Sequence, residues 1–134
     1  MNEALAFAYA AQDMIGTPFR LRGRSPNGVD CIGLVCLSLA RIGRPPPTLP
    51  QYSMRNLGRK RFAGLIDATG LRLAEGASCP GDLILLRPSA AQYHLAIIGP
   101  VAQLIHAHAG LGRVVASQAP LPWPIEARWR LDET

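Results

Sequence analysis

The chain has 134 residues, of which 49% are hydrophobic and 17% charged, and its formal net charge is +5. This length is enough for one domain with a buried core, so we expect one globular domain over residues 1–134. The apolar residues fall in short runs separated by 13 glycines and 12 prolines, which argues against disorder and against a membrane span. The positive charge suits an anionic polymer bearing carboxylates or phosphates.

Three cysteines, at positions 31, 36 and 79, do not fit a disulfide framework, because their number is odd and their spacing irregular. We expect reduced thiols. The N-terminus has neither the basic region nor the cleavage site of an export signal. We therefore expect the chain to be made in the cytoplasm without an export signal.

The first half of the chain is predicted to be helical. Apolar residues recur at helical spacing over 2–15, and Gly16 followed by Pro18 is typical of a helix stop. Residues 20–28 are rich in loop formers and predict an irregular connection. The continuous apolar run at 31–42 predicts a central helix that is buried on most sides.

The second half is predicted to form strands. After an extended connection at 45–52 and a basic amphipathic helix at 54–68, the chain changes to short apolar runs between turn residues. The pattern indicates an α+β fold, with helices first and an antiparallel sheet after them. The predicted strands cover residues 82–87, 94–98, 104–108, 113–117 and 125–131.

Cys31 is predicted at the N-terminus of the central helix. Unpaired amides and the helix dipole direct positive charge to that position, which favours the thiolate form of a cysteine. Asp30 is a suitable N-cap, and Gly33 allows close approach to the first turn. Cysteines are more often small buried hydrophobes, so both alternatives remain open at this point.

His94 and His106 are candidates for the groups that activate such a nucleophile. His94 begins a predicted strand, where a rigid backbone would hold the imidazole base in place. A hairpin through Gly99 and Pro100 would bring His106 beside it, where it can hydrogen-bond the far ring nitrogen and fix the tautomer. One cysteine and two histidines are weak evidence by themselves.

Several sequence blocks carry a resemblance to a known family. In their order along the chain, these blocks resemble the motifs of NlpC/P60 cell-wall peptidases, over a region from about Ala4 to the last strand. The blocks are Gly-Thr-Pro-Phe-Arg at 16–20, Gly23, Ser-Pro-Asn-Gly-Val-Asp-Cys-Ile-Gly-Leu-Val at 25–35, Pro-Gly-Asp-Leu at 80–83, His-Leu-Ala-Ile at 94–97 and Leu-Ile-His-Ala at 104–107.

The resemblance implies a papain-like fold of N-terminal helices packed on a C-terminal antiparallel sheet. It also implies a Cys-His-His triad, with Cys31 as nucleophile, His94 as base and His106 as orienting residue. Members of the family cleave amide bonds in peptidoglycan stem peptides, often between D-γ-glutamyl and a diamino acid. We therefore expect a peptidoglycan endopeptidase that needs no metal or other cofactor.

Two positions depart from the family pattern, which commonly has Tyr at the position of Phe19 and Ser at the position of Ile32. In members that recognise a free N-terminal L-alanine, the Asp before the cysteine and the Ser after it help to bind the amine. Asp30 is retained. The resemblance thus implies Phe19, Asp30 and Ile32 as substrate-binding positions, with specificity altered by the loss of two hydroxyls.

Within the family, the sequence resembles the compact phage-tail and gene-transfer-agent branch. This resemblance implies tail-tip proteins as partners and delivery to the cell wall in a phage-like particle or after lysis. No nucleic-acid partner and no membrane span are expected. The basic cluster at 55–61 is typical of a solvated helix face, since no aromatic residues are interleaved with it.

Three other functions remain as alternatives. The same Cys-His pair supports acyl transfer or lipid deacylation in related chemistry, and a catalytically idle subunit of a tail would keep the fold alone. A metal-binding protein is the third, although no Cys-x-x-Cys or His-Glu-x-x-His spacing supports it. The residues available to a metal are Cys31, Cys36, Cys79, His94, His106 and His108.

Overall fold

The structure of the protein is a computed structural model that describes residues 2–44, 66, 69–90, 92–118 and 120–131. Within these ranges the elements in chain order are α1 (Glu3–Asp13), β1 (Arg24–Ser25), β2 (Gly28–Val29), α2 (Cys31–Arg41), β3 (Leu71–Leu73), β4 (Leu83–Ser89), β5 (Gln92–Ile98), β6 (Leu104–His108), β7 (Arg113–Ser117) and β8 (Ile125–Leu131). The predicted α+β class is confirmed.

Helix α1 begins where the side chain of Asn2 accepts a hydrogen bond from the backbone N–H of Leu5 at 2.7 Å. An N-cap of this kind satisfies one of the amides that a helix start leaves unpaired. The helix ends at Asp13, slightly before the predicted end, and Gly16 then adopts a φ of 95°. That left-handed conformation favours glycine and turns the chain away from the helix.

Helix α2 is the central helix that the sequence predicted. It is buried along most of its length and contacts α1, β5 and β6. Leu34 and Leu39 are almost completely buried, and each such side chain contributes about 1.5–3 kcal/mol to folding. The helix ends at Arg41, one residue before the predicted boundary.

The main sheet has six strands in the order β3-β8-β4-β5-β6-β7, and all neighbouring strands are antiparallel. The five predicted strands are confirmed, with β4 and β5 longer than predicted. Strand β3 was not predicted. In addition, β1 and β2 form a small antiparallel ribbon inside the segment that was predicted to be an irregular loop.

The two faces of the sheet bury different residues. Alternate residues of β4, β5 and β6, such as Leu85, Leu95 and Ile105, pack with the helices in the larger core. The residues between them on the same strands, such as Ile84, Ala96 and Leu104, form a smaller apolar cluster on the opposite side of the sheet. Leu121 and Trp123 pack against that cluster. We call these the helix face and the far face of the sheet. By strand alternation, His94 and His106 belong to the far face.

Strands β5 and β6 pair only over part of their length. Ile97 lies opposite Ile105 and Ile98 opposite Leu104, and no further registered pair follows toward His94. The predicted hairpin through Gly99 and Pro100 is therefore confirmed at one end. We call the registered half of this strand pair the paired end, and the half that contains His94 and His108 the open end.

Predictions for residues 45–52 and 54–68 lie outside the described residues, except that Ile66 is buried in the larger core. The single domain predicted over 1–134 stays a prediction. Among the described residues, no helix combines the length and the apolar character needed to cross a bilayer.

Candidate active site

A loop crossing fixes the first turn of α2 and with it the position of Cys31. An added Cβ at Gly33 would lie 1.9 Å from the carbonyl oxygen of Gly23, and one at Gly23 would lie 2.2 Å from that of Gly28. The backbone of the 20–28 segment thus touches the helix directly. The close approach expected at Gly33 is made by the protein's own loop, and both glycines are required by it.

Asp30 is a fully buried N-cap of α2. Its carboxylate accepts hydrogen bonds from the backbone N–H of Gly33 and of Arg22, each at 2.8 Å, and faces Arg24 Nη1 at 3.3 Å. Arg22 itself has a φ of 61°. The side chain therefore joins the loop to the helix, and its oxygens are already engaged by donors of this protein.

The open end of β5 and β6 gives the thiol access to the sheet. Ile98 exchanges backbone hydrogen bonds with residues 81 and 82 before β4, so Ile97 and Leu95 direct their amides the other way, toward β6. Because the strands are not registered at this level, the N–H of Leu95 hydrogen-bonds the sulphur of Cys31 instead. The thiol of Cys31 is thereby held next to the residue that follows His94.

His94, His106 and Ser117 form a line of hydrogen bonds across three strands, which we call the polar row. His94 Nε2 lies 2.9 Å from His106 Nδ1, and His106 Nε2 lies 2.9 Å from Ser117 Oγ. His106 is buried, with 1% of its surface exposed. Since Nε2 of His94 is used in this row, Nδ1 is the ring nitrogen of His94 that takes no part in it.

Aromatic rings cover the polar row. Trp123 meets His94 edge-on with ring centroids 5.8 Å apart, and its ring centroid lies 6.4 Å from that of His106. The ring of His108 lies 5.7 Å from that of His106, and its Nδ1 accepts the backbone N–H of Leu111 at 3.0 Å. These contacts restrict both the rotation and the hydration of the histidines.

The candidate site is a cleft of about 230 Å³. Its walls come from both faces of the sheet, because the open end lets helix-face and far-face residues meet. Phe19 lines the cleft, whereas Ile32 is buried in the core and is not among the described lining residues. The lining residues are Phe19, Asp30, Cys31, Pro88, Gln92, Tyr93, His94, Ala107, His108, Ala109, Gly110 and Trp123.

The thiol of Cys31 is protonated in the free protein. Burial raises the pKa of Cys31 to about 12, and the negative charge of Asp30 adds to the effect. Backbone hydrogen bonds from Leu95, Ile32 and Cys31 lower the pKa but do not outweigh burial. The position at a helix N-terminus is as predicted, whereas the thiolate that this position was expected to favour does not form at rest.

Both histidines of the row are neutral at neutral pH. Burial lowers the pKa of His94 to about 3, with further lowering from the charges of His106 and His108. Burial, followed by the charge of His108, lowers the pKa of His106 to about 4. The cleft at rest is therefore lined by a neutral thiol and a neutral imidazole, and a neutral imidazole is the protonation state that a general base requires.

The other two cysteines lie outside the cleft. Cys36 is buried in the core, where burial raises its pKa. Cys79 lies near Asp82, whose carboxylate accepts its backbone N–H at 3.0 Å and also binds Arg128 and Arg130. Among the residues that the structure describes, no group of three or more His, Cys, Asp or Glu side chains is arranged to hold a metal ion.

The sequence predicted Cys31, His94 and His106, and also Phe19 and Asp30, which line the cleft. Other residues of the site were not predicted. Ser117 was part of a predicted strand but carried no motif, and its contact with His106 depends on the register of β6 and β7. Trp123 follows the last block of the resemblance. A tryptophan in a proline-rich segment, with prolines at 120, 122 and 124, was a signal available in the sequence.

A helix that begins with a thiol, packed on an antiparallel sheet that carries an imidazole, defines the papain-like class of folds. The sequence model of the NlpC/P60 family matches residues 16–123, which include every block and all the described lining residues of the cleft. The chain belongs to the NlpC/P60 family. No curated protein sequence gives a significant match.

Solved structures with the same fold are similar to this chain at low sequence identity. NlpC1 from Trichomonas vaginalis is 21% identical with a TM-score of 0.73, over 99% of this chain and 45% of that one. The peptidoglycan hydrolase RipB from Mycobacterium tuberculosis is 20% identical with a TM-score of 0.63, over 98% of this chain and 65% of that one. The P60 domain of an antigen from M. avium subspecies paratuberculosis is 23% identical with a TM-score of 0.64, over 98% and 97%. This chain spans less than half the length of the Trichomonas protein.

Proposed function

We propose that the protein is a cysteine peptidase that hydrolyses amide bonds in the stem peptides of peptidoglycan. The observation that carries the proposal is the contact between His94 Nε2 and His106 Nδ1, which leaves the other nitrogen of His94 for the cleft that Cys31 lines. Family membership and the fold shared with a peptidoglycan hydrolase support the choice of substrate.

The proposed reaction begins from the neutral pair. As the sulphur of Cys31 attacks the scissile carbonyl, Nδ1 of His94 takes the thiol proton. Loss of the amine, which leaves with that proton, gives a thioester. Water then attacks the thioester, transferring a proton to His94 that is returned to the sulphur when the acid product departs. The positive charge on His94 during each step is stabilised by His106 through the polar row.

The carboxylate of Asp30 in the cleft bears on whether the substrate needs a free N-terminal amine. Among the described lining residues, Asp30 is the one carboxylate, and its oxygens are engaged by Gly33, Arg22 and Arg24. A substrate amine would have to compete with these donors. We therefore propose that a free N-terminal L-alanine is not required. Contacts of Phe19, Asp30 and Ile32 with substrate stay a prediction.

The test is digestion of defined stem peptides containing a D-γ-glutamyl–diamino acid bond, with products identified by mass. We expect cleavage of one amide bond by the wild-type protein and none by Cys31→Ala. Cys36→Ala provides a matched control, because it removes a buried thiol outside the cleft. Hydrolysis of a simple ester without stem cleavage would favour the acyltransferase or lipid hydrolase alternative. Release of sugars would contradict the proposal, and a wild-type protein inert to both would point to an idle structural subunit.

The biological setting remains a separate proposal. The run Asp-Cys-Ile at 30–32 resembles the phage-tail and gene-transfer-agent branch, and on that basis we propose tail-tip proteins as partners and the cell wall as the place of action. Mass spectrometry of purified phage-like particles tests this. The protein should be recovered in stoichiometric amount with tail-tip subunits, and its absence from intact particles would contradict the proposal.

A further inference from the structure

Ser117 has no part in the mechanism above, although it ends the polar row. Its partner across the strands is Leu104, whereas His106 lies opposite Val115. The contact of 2.9 Å between His106 Nε2 and Ser117 Oγ is therefore a diagonal one between residues on the same face of the sheet. At one end of the row stands the base of the proposed reaction, and at the other stands a hydroxyl.

The positions of the protons in the row are coupled. A neutral imidazole carries one N–H and one lone pair, so each of the two contacts fixes the tautomer on both sides. To take a proton from Cys31, His94 needs a lone pair on Nδ1 and a hydrogen on Nε2. His106 must then accept at Nδ1 and carry its own hydrogen on Nε2, where it is donated to Ser117.

The reverse arrangement satisfies the same distances. In it the hydroxyl donates to His106, His106 donates from Nδ1 to His94, and His94 carries its hydrogen on Nδ1. That tautomer has no lone pair for the proton of Cys31 and cannot act as its base. The group that ends the row therefore takes part in deciding whether the site is competent.

The sulphur end of the site favours the competent arrangement. The sulphur of Cys31 is a weak hydrogen-bond acceptor and already receives the backbone N–H of Leu95. A second N–H, from the imidazole, is therefore a poorer arrangement there than a thiol hydrogen donated to an imidazole lone pair. We propose that Ser117 is a positioning residue that accepts the Nε2–H of His106 and thereby holds His94 in the tautomer able to take the Cys31 proton. The effect on rate rests on the proposed function, whereas the tautomers belong to the free protein.

Removing the hydroxyl leaves the buried Nε2–H of His106 without its acceptor. An unpaired buried N–H is a costlier defect than an unpaired lone pair, so His106 shifts its hydrogen to Nδ1 and His94 follows. We expect kcat to fall by roughly tenfold to a hundredfold, with KM nearly unchanged, because the defect concerns proton transfer and not substrate contact.

The experiment compares Ser117→Val with Ser117→Thr, which have the same shape and differ in the hydroxyl. Thr should retain most of kcat and Val should not. Nitrogen NMR of the three histidines reports the tautomers without any substrate, and we expect His94 and His106 to carry hydrogen on Nε2 in the wild type and in Ser117→Thr. In Ser117→Val, both should move to Nδ1–H.

Unchanged tautomers in Ser117→Val, or equal loss of kcat in both variants, would overturn the proposal. A wild-type protein inert toward every stem peptide would refute the proposed function but leave the NMR result as a test of the proton arrangement. The two failures are thus distinguishable.

Discussion

The two ends of the β5–β6 pair contrast sharply in structure and chemistry. At the paired end, Ile97 and Ile105 face each other and are completely buried in the larger core. At the open end the strands are unregistered, the amide of Leu95 binds a thiol, and Tyr93 and Ala107 line a cleft. The same two strands therefore supply stability at one end and a candidate active site at the other.

A sheet can make a backbone amide available to a side chain simply by letting two of its strands part. An amide such as that of Leu95 normally pairs with the next strand. Where the strands part, the amide becomes free to bind something else, here the sulphur of Cys31. The paired end keeps the register that brings His106 within 2.9 Å of His94. Mutations at the two ends should consequently have separable effects.

The largest effect is expected from the histidines of the open end. His94→Gln should lower kcat/KM by about 10²- to 10⁴-fold, because a general base is lost. The same change at His106 should cost only about tenfold, since water can partly replace an orienting group. Stem-peptide kinetics measures both. Equal losses in the two variants would contradict the assignment of roles.

Substitutions at the paired end should lower stability and leave activity nearly unchanged. Ile105→Ala removes a fully buried side chain and should lower the free energy of unfolding by about 2–5 kcal/mol. Activity per folded molecule should stay near the wild-type value. Ile125→Ala is a matched control, because the same atoms are removed from a side chain that is 61% exposed, and its effect should stay within about 0.5 kcal/mol. Urea unfolding measures the free energy of unfolding of both variants. Similar losses in the two would contradict the role of the paired end in stability.

Acid should weaken the fold through the polar row. The pKa of His94 falls from 6.5 to about 3 on folding and that of His106 from 6.5 to about 4. Between about pH 6 and pH 4 the unfolded chain therefore binds protons that the folded protein excludes, and stability decreases as pH falls. Two excluded protons correspond to a slope of about 2.7 kcal/mol per pH unit.

Urea unfolding across this pH range measures that slope. A variant with His94→Gln and His106→Gln should lose most of it. Asp82 does not interfere above about pH 4. Burial alone would raise the pKa of Asp82, but hydrogen bonds from Arg130, Cys79 and Arg128 outweigh it and leave the pKa below 3.8, so its stabilising contribution disappears only at lower pH. A double variant with the wild-type slope would count against neutral buried histidines.

The smallest effect is expected from blocking the stem's N-terminal amine. A charge-assisted contact with Asp30 would be worth about 1.5–3 kcal/mol, or roughly tenfold to more than a hundredfold in kcat/KM. Because Asp30 is engaged within the protein, we expect acetylation of the amine to change kcat/KM by less than about threefold. Paired assays of free and acetylated stems measure the ratio. A loss of tenfold or more would show that Asp30 does bind the amine.

Much of the fold could be predicted from the sequence because the periodicity was strong where burial was one-sided or complete. Strand β8 alternates clearly, and α2 is one apolar run between Asp30 and Gly43. Strand β3 escaped prediction because it has three residues, of which Leu73 is 71% exposed. The β1–β2 ribbon has two residues a strand, too few for any period.

The part of the candidate site that could be predicted is the part that lies in sequence motifs. Cys31, His94 and His106 were found through blocks of fixed order, whereas Ser117 depends on a diagonal contact that only the strand register reveals. The protonation state was not predictable either. Helix position argued for a thiolate, but the depth of burial, which a sequence does not state, decides the pKa of Cys31.

Trp123 gives this protein an intrinsic optical probe. The chain has two tryptophans. Trp129 is 1% exposed in the core, whereas Trp123 lines the cleft. Emission from Trp129 should stay constant while that from Trp123 responds to its neighbour His94, at 5.8 Å between ring centroids. A protonated imidazole quenches indole emission, so the emission of Trp123 should report the charge of His94. Trp129→Phe would isolate that signal for stopped-flow measurement of single turnovers.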